Sequence, residues 1–249
     1  LMSTDDKTIL KIKLLKIKDM KKVIFIFMLC LSSLIVHSQV ISRNELESYV
    51  QRGDKSWSAT AKDISKKYQL NSNGELELCI IKEYPGKDKS QLYHQVLNWI
   101  ISMSSNAQSA VQSCDENKGI ILTRCYLPNI ARRTMGDNSY RVSIRPLLRF
   151  DFKDGKIRFT YTLQNYEVLK TNDDSGYVIL FGSFGVTGDG ITQDSQIWNL
   201  KDCYPYNEMN WIHPKVTSSR ALVNSEACFR ILTDKLDNKL KEKATDDNW

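Results

Sequence analysis

The sequence predicts an α+β fold: a curved antiparallel sheet with helices on one face and an extra N-terminal helix. Three observations carry this. Residues 139–165 alternate apolar and polar side chains around Asp154-Gly155, the pattern of a hairpin with one buried face. Residues 89–104 place Leu92, Val96, Trp99, Ile100 and Met103 at helical spacing. Residues 217–243 do the same with Leu222, Cys228, Phe229, Leu232, Leu236 and Leu240.

Residues 43–69 read as helix, with Leu46, Tyr49, Val50, Trp57, Ala61 and Ile64 as the apolar positions. Gly53 interrupts the run and leaves room for two shorter helices. The turn Asn71–Gly74 leads into a strand where Leu76, Leu78 and Ile80 alternate with polar neighbours. After helix 89–104, strands at about 109–114 and 120–127 flank the polar segment Asp115–Gly119.

In the main hairpin Tyr140, Val142, Ile144, Leu148, Phe150 and Phe152 take one face. Arg141, Ser143, Arg145, Arg149 and Asp151 take the other. The return strand contributes Ile157, Phe159, Tyr161 and Leu163 to the apolar face and Arg158 to the polar one. A two-residue Asp-Gly turn sets Phe150 opposite Phe159 and Asp151 opposite Arg158; a one-residue slip would destroy both pairs. Pro146 cannot donate to a ladder, so it marks an edge or a bulge. Residues 168–216 read as an irregular glycine- and aromatic-rich connection, with a short strand in 177–184. The order is α, then β-α-β-β-β-β, a long connection, and α.

Residues Met20–Ser38 have the layout of a secretory signal. Lys21 and Lys22 precede an apolar run from Val23 to Val36, and Val36-His37-Ser38 offers a cleavage site before Gln39. That run is shorter than the roughly 20 residues a membrane span needs. The reading makes 1–19 a non-native upstream segment, 20–38 the signal, 39–74 an N-terminal helical segment, 75–167 the α+β core, and 217–249 a closing helix and tail. An exported chain, periplasmic or extracellular, with no membrane span after cleavage, is the expectation.

Seven lysines and three acids lie in the first 38 residues, so 39–249 carries a charge of about +2, against +6 for the whole chain. That balance gives no reason to expect nucleic-acid binding. The same segment keeps five cysteines, with no CxxC, and the histidines His94 and His213. No metal or cofactor is implied. Cys114 and Cys125 fall out of register on their hairpin, whereas Cys203 and Cys228 are candidates for a disulfide between the irregular segment and the last helix.

Trp57, the Asn73-Gly74 turn, Leu92-Tyr93, Trp99, Tyr140 and the hairpin Lys153-Asp154-Gly155-Lys156-Ile157-Arg158 together resemble a group of secreted bacterial proteins. That group is a domain of unknown function described as having a TATA-binding-protein-like (TBP-like) fold. The resemblance spans roughly 40–167. It implies the fold and an envelope or extracellular setting, and no activity. DNA binding does not follow from the fold name, because the DNA-binding namesake uses two tandem repeats and this chain shows one.

No catalytic motif is present. Phe181-Gly182-Ser183-Phe184-Gly185 lacks the first glycine of a nucleophile elbow. Gly185–Gly190 is followed by no Gly-Lys-Ser/Thr. Asp173, Asp174, Asp189 and Asp194 do not have the spacing of a calcium loop. The most functional-looking feature is a row of arginines, Arg141, Arg145, Arg149 and Arg158, on the open face of the sheet, able to hold an anionic ligand, an acidic glycan or an envelope protein. Its bland alternative is a solvated, charged sheet face. The aromatic run Trp198, Tyr204, Tyr206 and Trp211 is a second contact candidate. The leading expectation is a non-enzymatic binding module. A hydrolase with a dispersed site in 170–215 and a structural envelope subunit are the alternatives.

Overall fold

The structure, a computed structural model, describes residues 40–103, 111–135, 138–172, 178–180, 183–185, 192–203 and 215–242. The signal segment, the Ser38/Gln39 junction, Tyr204, Tyr206, Trp211 and His213 lie outside the described residues.

The N-terminal run forms two helices, α1 (Arg43–Tyr49) and α2 (Trp57–Lys67). Ser42 caps α1 with a reciprocal box: its hydroxyl accepts from the Glu45 N–H at 3.2 Å, and the Glu45 carboxylate accepts from the Ser42 N–H. Gly53, at φ +56°, supplies the left-handed residue between the two helices. Then come β1 (Leu76–Glu83), α3 (Lys89–Met103), β2 (Val111–Asp115), β3 (Ile120–Arg124), β4 (Leu127–Met135), β5 (Asn138–Ile144), β6 (Leu147–Lys153), β7 (Lys156–Leu163) and β8 (Asn165–Asn172). A small hairpin, β9 (Val178–Leu180) with β10 (Ser183–Gly185), precedes β11 (Thr192–Asn199), α4 (Leu200–Cys203) and the long α5 (Lys215–Lys241).

All pairings are antiparallel. One sheet has five strands in the order β1-β7-β6-β3-β2, and a second has four in the order β11-β8-β5-β4. The β6–β7 hairpin has the expected register: Lys153 faces Lys156, Phe150 faces Phe159, and Asp151 faces Arg158. Phe150 and Phe159 stack with ring centres 4.8 Å apart. Helix α3 sets Trp99 edge-on against Phe150 and Tyr93 against Phe152. Helix α5 sets Phe229 against both Phe159 and Tyr161. Each such ring contributes about 1.5–3 kcal/mol by leaving water. The opposite face exposes Cys79, Ile81, Arg149 and Arg158.

Three expectations are corrected. The alternation over 139–153 is not one strand. It breaks at Arg145-Pro146, where proline has no N–H for the ladder, and the chain bends from one sheet into the other. The Cys125 N–H donates to the Pro146 carbonyl at 3.2 Å, so the pairing of β3 with β6 carries over the bend into that of β4 with β5. Strand β4 was not anticipated, because Pro128, Asn129 and the Arg132-Arg133 pair spoil its alternation. Residues 168–216 are not wholly irregular: β8 runs on to Asn172 and pairs with β11 over its full length. Strand β11 escapes periodicity because Trp198 is its one buried residue.

Helix α5 is buried nearly all round in its first half, from Thr217 to Ser225. It packs on α1, α2 and α3 and runs beside β4, the edge of the second sheet. There Asn224 Nδ2 donates to the Ile130 carbonyl, and Arg220 Nη1 donates to the Arg132 carbonyl at 3.1 Å. Side chains one helical turn apart thus occupy edge carbonyls two residues apart, which closes the edge to further strands. Among the described residues, no helix is long and apolar enough to cross a membrane.

Candidate functional site

The four arginines expected on one sheet face do not form a common surface. Arg149 and Arg158 converge on the carboxylate of Asp151, at 2.8 and 3.1 Å. Burial pushes the Asp151 carboxyl up, but hydrogen bonds from the two guanidiniums outweigh it and hold the carboxyl below its usual value. Arg145, at the bend, pairs with Glu167 at 2.6 Å and lies over the Tyr126 ring at 4.2 Å. Three of the four arginines therefore already have a carboxylate partner, with Arg149 and Arg158 sharing one. The reason is the bend at Pro146, which separates Arg141 and Arg145 from the five-stranded sheet.

Arg141 enters a cleft of about 270 Å³ between α1, α5, β4 and β5, while Arg158 lines a separate pocket of about 310 Å³ together with its partner Asp151. Arg43 and Glu47 of α1, Arg132 of β4, Arg141 of β5, and Arg220, Asn224 and Cys228 of α5 all line the cleft. The three α5 residues recur every four positions and so share one stripe of the helix. Arg132 and Arg141 face each other across the β4–β5 ladder. The cleft wall also carries an irregularity. Leu127 faces Ile144 while Ala131 faces Val142, so two extra residues are accommodated in β4. Asn129, within it, adopts φ +54° and donates its N–H to Ser143 Oγ at 3.1 Å. Asparagine tolerates this left-handed conformation better than most residues.

The electrostatics are one-sided, with four guanidiniums and one carboxylate on the lining. Glu47 pairs with Arg43 at 2.9 Å. Arg132 and Arg141 have no ion pair among the described residues. Arg220 lies over the ring of Trp57, 4.9 Å from its centre, with Arg52 on the same ring at 5.1 Å. Burial first, then the Arg43 and Arg52 charges, lower the Arg220 pKa from its ordinary value against the pull of Glu47. Arg220 Nε and Asn224 Oδ1 are buried atoms without a hydrogen-bond partner among the described residues. An anion between these groups would supply the missing acceptor and relieve the repulsion between cations. Sequence reading missed this cleft because Arg43, Arg132 and Arg220 are far apart in the chain. The one available signal was the four-residue spacing of Arg220, Asn224 and Cys228.

Other candidates fare less well. His94 Nε2 lies 3.2 Å from Glu116 Oε1, and the same oxygen accepts from the Ser90 hydroxyl at 2.9 Å. The carboxylate stands between serine and histidine, so the histidine is not placed to take the serine proton. The expected disulfide is absent: Cys203 and Cys228 are separate, buried thiols. Cys228 lines the cleft beside β4, whereas Cys203 follows β11 at the opposite edge of the four-stranded sheet. Burial pushes the Cys203 thiol up to about 12 and raises that of Cys228 too. No cluster of three metal-ligating side chains occurs among the described residues. The exposed Ile81, Ile101, Tyr126, Ile197 and Val216 sit on five different segments.

The fold and cleft define an α+β domain with an open sheet face and a cationic recess. Residues 81–167 match the family model described as a domain of unknown function (DUF4468) with TBP-like fold. The resemblance read from the sequence thus holds over that stretch, and the fold of residues 81–167 is TBP-like. A DUF4468 family protein from Bacteroides ovatus ATCC 8483 is similar in structure, at 12% identity and TM-score 0.43, covering 73% of this chain and 97% of that one. A TBP-like protein from Parabacteroides distasonis ATCC 8503 is similar at 13% identity and TM-score 0.42, covering 68% and 96%. The search of curated proteins finds no match.

Proposed function

We propose that the protein is an exported, non-enzymatic binding module whose arginine-lined cleft holds a small anionic ligand. The observation that carries this is the half-buried Arg220 guanidinium, placed on Trp57 among three further arginines, with its Nε unpartnered among the described residues. Guanidinium groups suit planar, bidentate recognition of carboxylate and phosphate. The site thus moves from the open sheet face, where Arg149 and Arg158 serve Asp151, to the recess between the second sheet and the helices. A setting in the periplasm or outside the cell is supported by the lysine-led apolar run ending at Ser38.

The binding reading is tested by calorimetric titration of the chain with propionate at low ionic strength. Saturable binding that Arg220→Gln removes is expected, and no detectable heat at any ligand concentration would overturn it. Export is tested by N-terminal sequencing of the protein recovered from the producing cell. A start at Gln39 in the envelope or medium is expected, whereas an intact leader on cytosolic protein would refute it.

A further inference from the structure

The cleft lining holds one buried acceptor without a partner among the described residues, Asn224 Oδ1, and its orientation is fixed. Asn224 is 4% exposed and lines the cleft. Its Nδ2 donates to the Ile130 carbonyl. A flipped amide would set two oxygens against each other, so this bond determines which way the side chain points. Oδ1 is left as the free end, with no partner among the described residues. One turn away on the same stripe, Arg220 Nη1 is committed to the Arg132 carbonyl and its Nε is unpartnered. Closing the β4 edge therefore leaves one buried donor, Arg220 Nε, and one buried acceptor, Asn224 Oδ1, without partners among the described residues.

A buried acceptor without a partner costs roughly 1–3 kcal/mol. A bare anion answers the arginines but worsens matters at Asn224, where its lone pairs would meet Oδ1. A neutral sugar answers Asn224 and leaves the arginines unmatched. We infer that the ligand is a small hydroxy acid, in which one carboxylate or phosphate is engaged by Arg220 and Arg141 while a hydroxyl of the same molecule donates to Asn224 Oδ1. This rests on the anion-binding reading above and narrows it. The cleft, at about 270 Å³, is smaller than sites for drug-sized ligands, so one sugar ring or a shorter acid fits and an oligosaccharide would have to project from it. Selectivity follows from the residue pair: sites built around hydrogen bonds reject analogues that lack the matching hydroxyl far more strongly than apolar sites do.

The test is a calorimetric series on the full chain with glucuronate, glucose 6-phosphate, propionate, inorganic phosphate and glucose. Glucuronate is expected to bind at least tenfold tighter than propionate, or glucose 6-phosphate tenfold tighter than phosphate, and the tighter of the two names the acid group. Glucose should not bind. In Asn224→Leu, shown folded by its melting curve, the hydroxy acid should lose its advantage and bind no tighter than its simple anion. Equal binding of hydroxylated and simple anions would overturn this inference and leave the anion-binding reading standing. Binding of none of the anions would overturn both. The ligand comparison in the unmodified chain decides the matter even if Asn224→Leu does not fold.

Discussion

The two arginine-rich regions of this molecule are built on opposite principles. On the five-stranded sheet, Arg149 and Arg158 flank Asp151, and both are paired to that one carboxylate within the fold. In the cleft, Arg43, Arg132, Arg141 and Arg220 share a lining with one glutamate. The first region is a solvated ion network of small energetic weight. The second places like charges together beside buried unpartnered atoms, an arrangement that weakens the fold unless a ligand offsets it. Counting arginines along a strand does not distinguish the two; knowing which carboxylates reach them does.

Substitutions can separate the regions. The largest effect should come from Phe159→Ala in the stacked core under α5, a loss of about 3–5 kcal/mol measured by denaturant unfolding, with anion affinity unchanged while the protein is folded. Arg220→Gln should do the reverse. It should lower anion affinity at least tenfold in calorimetry and cost only about 1–2 kcal/mol of stability through the bond to the Arg132 carbonyl.

Acid provides a gentler probe. The Asp151 carboxyl is held below its unfolded value. Its contribution is therefore present above an unfolded pKa of about 3.9 and is lost as pH falls through the folded value. Asp151→Asn should flatten the fall in stability below about pH 4, followed by urea midpoints. The smallest effect should be Arg158→Gln, a change below about 1 kcal/mol with no loss of anion binding. A large binding defect there would return the site to the sheet face.

Much of the fold was legible because its main hairpin obeys one rule. Asp154-Gly155, with Gly155 at φ +70°, sets a register that pairs aromatic with aromatic and charge with charge. The helices α3 and α5 were visible from their apolar spacing, nearly to the residue. Strands β4 and β11 were hidden because edge strands need not alternate: backbone pairing holds them, and their side chains answer to solvent or to a neighbouring helix. The cleft was hidden for a related reason. It joins α1, β4, β5 and α5, and the bend at Pro146 that brings Arg141 to it is a tertiary event. Trp57 was noticed in the sequence as a resemblance, and its place beneath Arg220 gives it a physical role.

The most direct measurement compares two double variants, each removing two positive charges. Glucuronate is titrated into the unmodified chain, Arg141→Gln/Arg220→Gln and Arg149→Gln/Arg158→Gln under one buffer. The account predicts one-to-one binding that the first pair abolishes and the second leaves intact. Equal weakening by both pairs, or loss with the second alone, would contradict it.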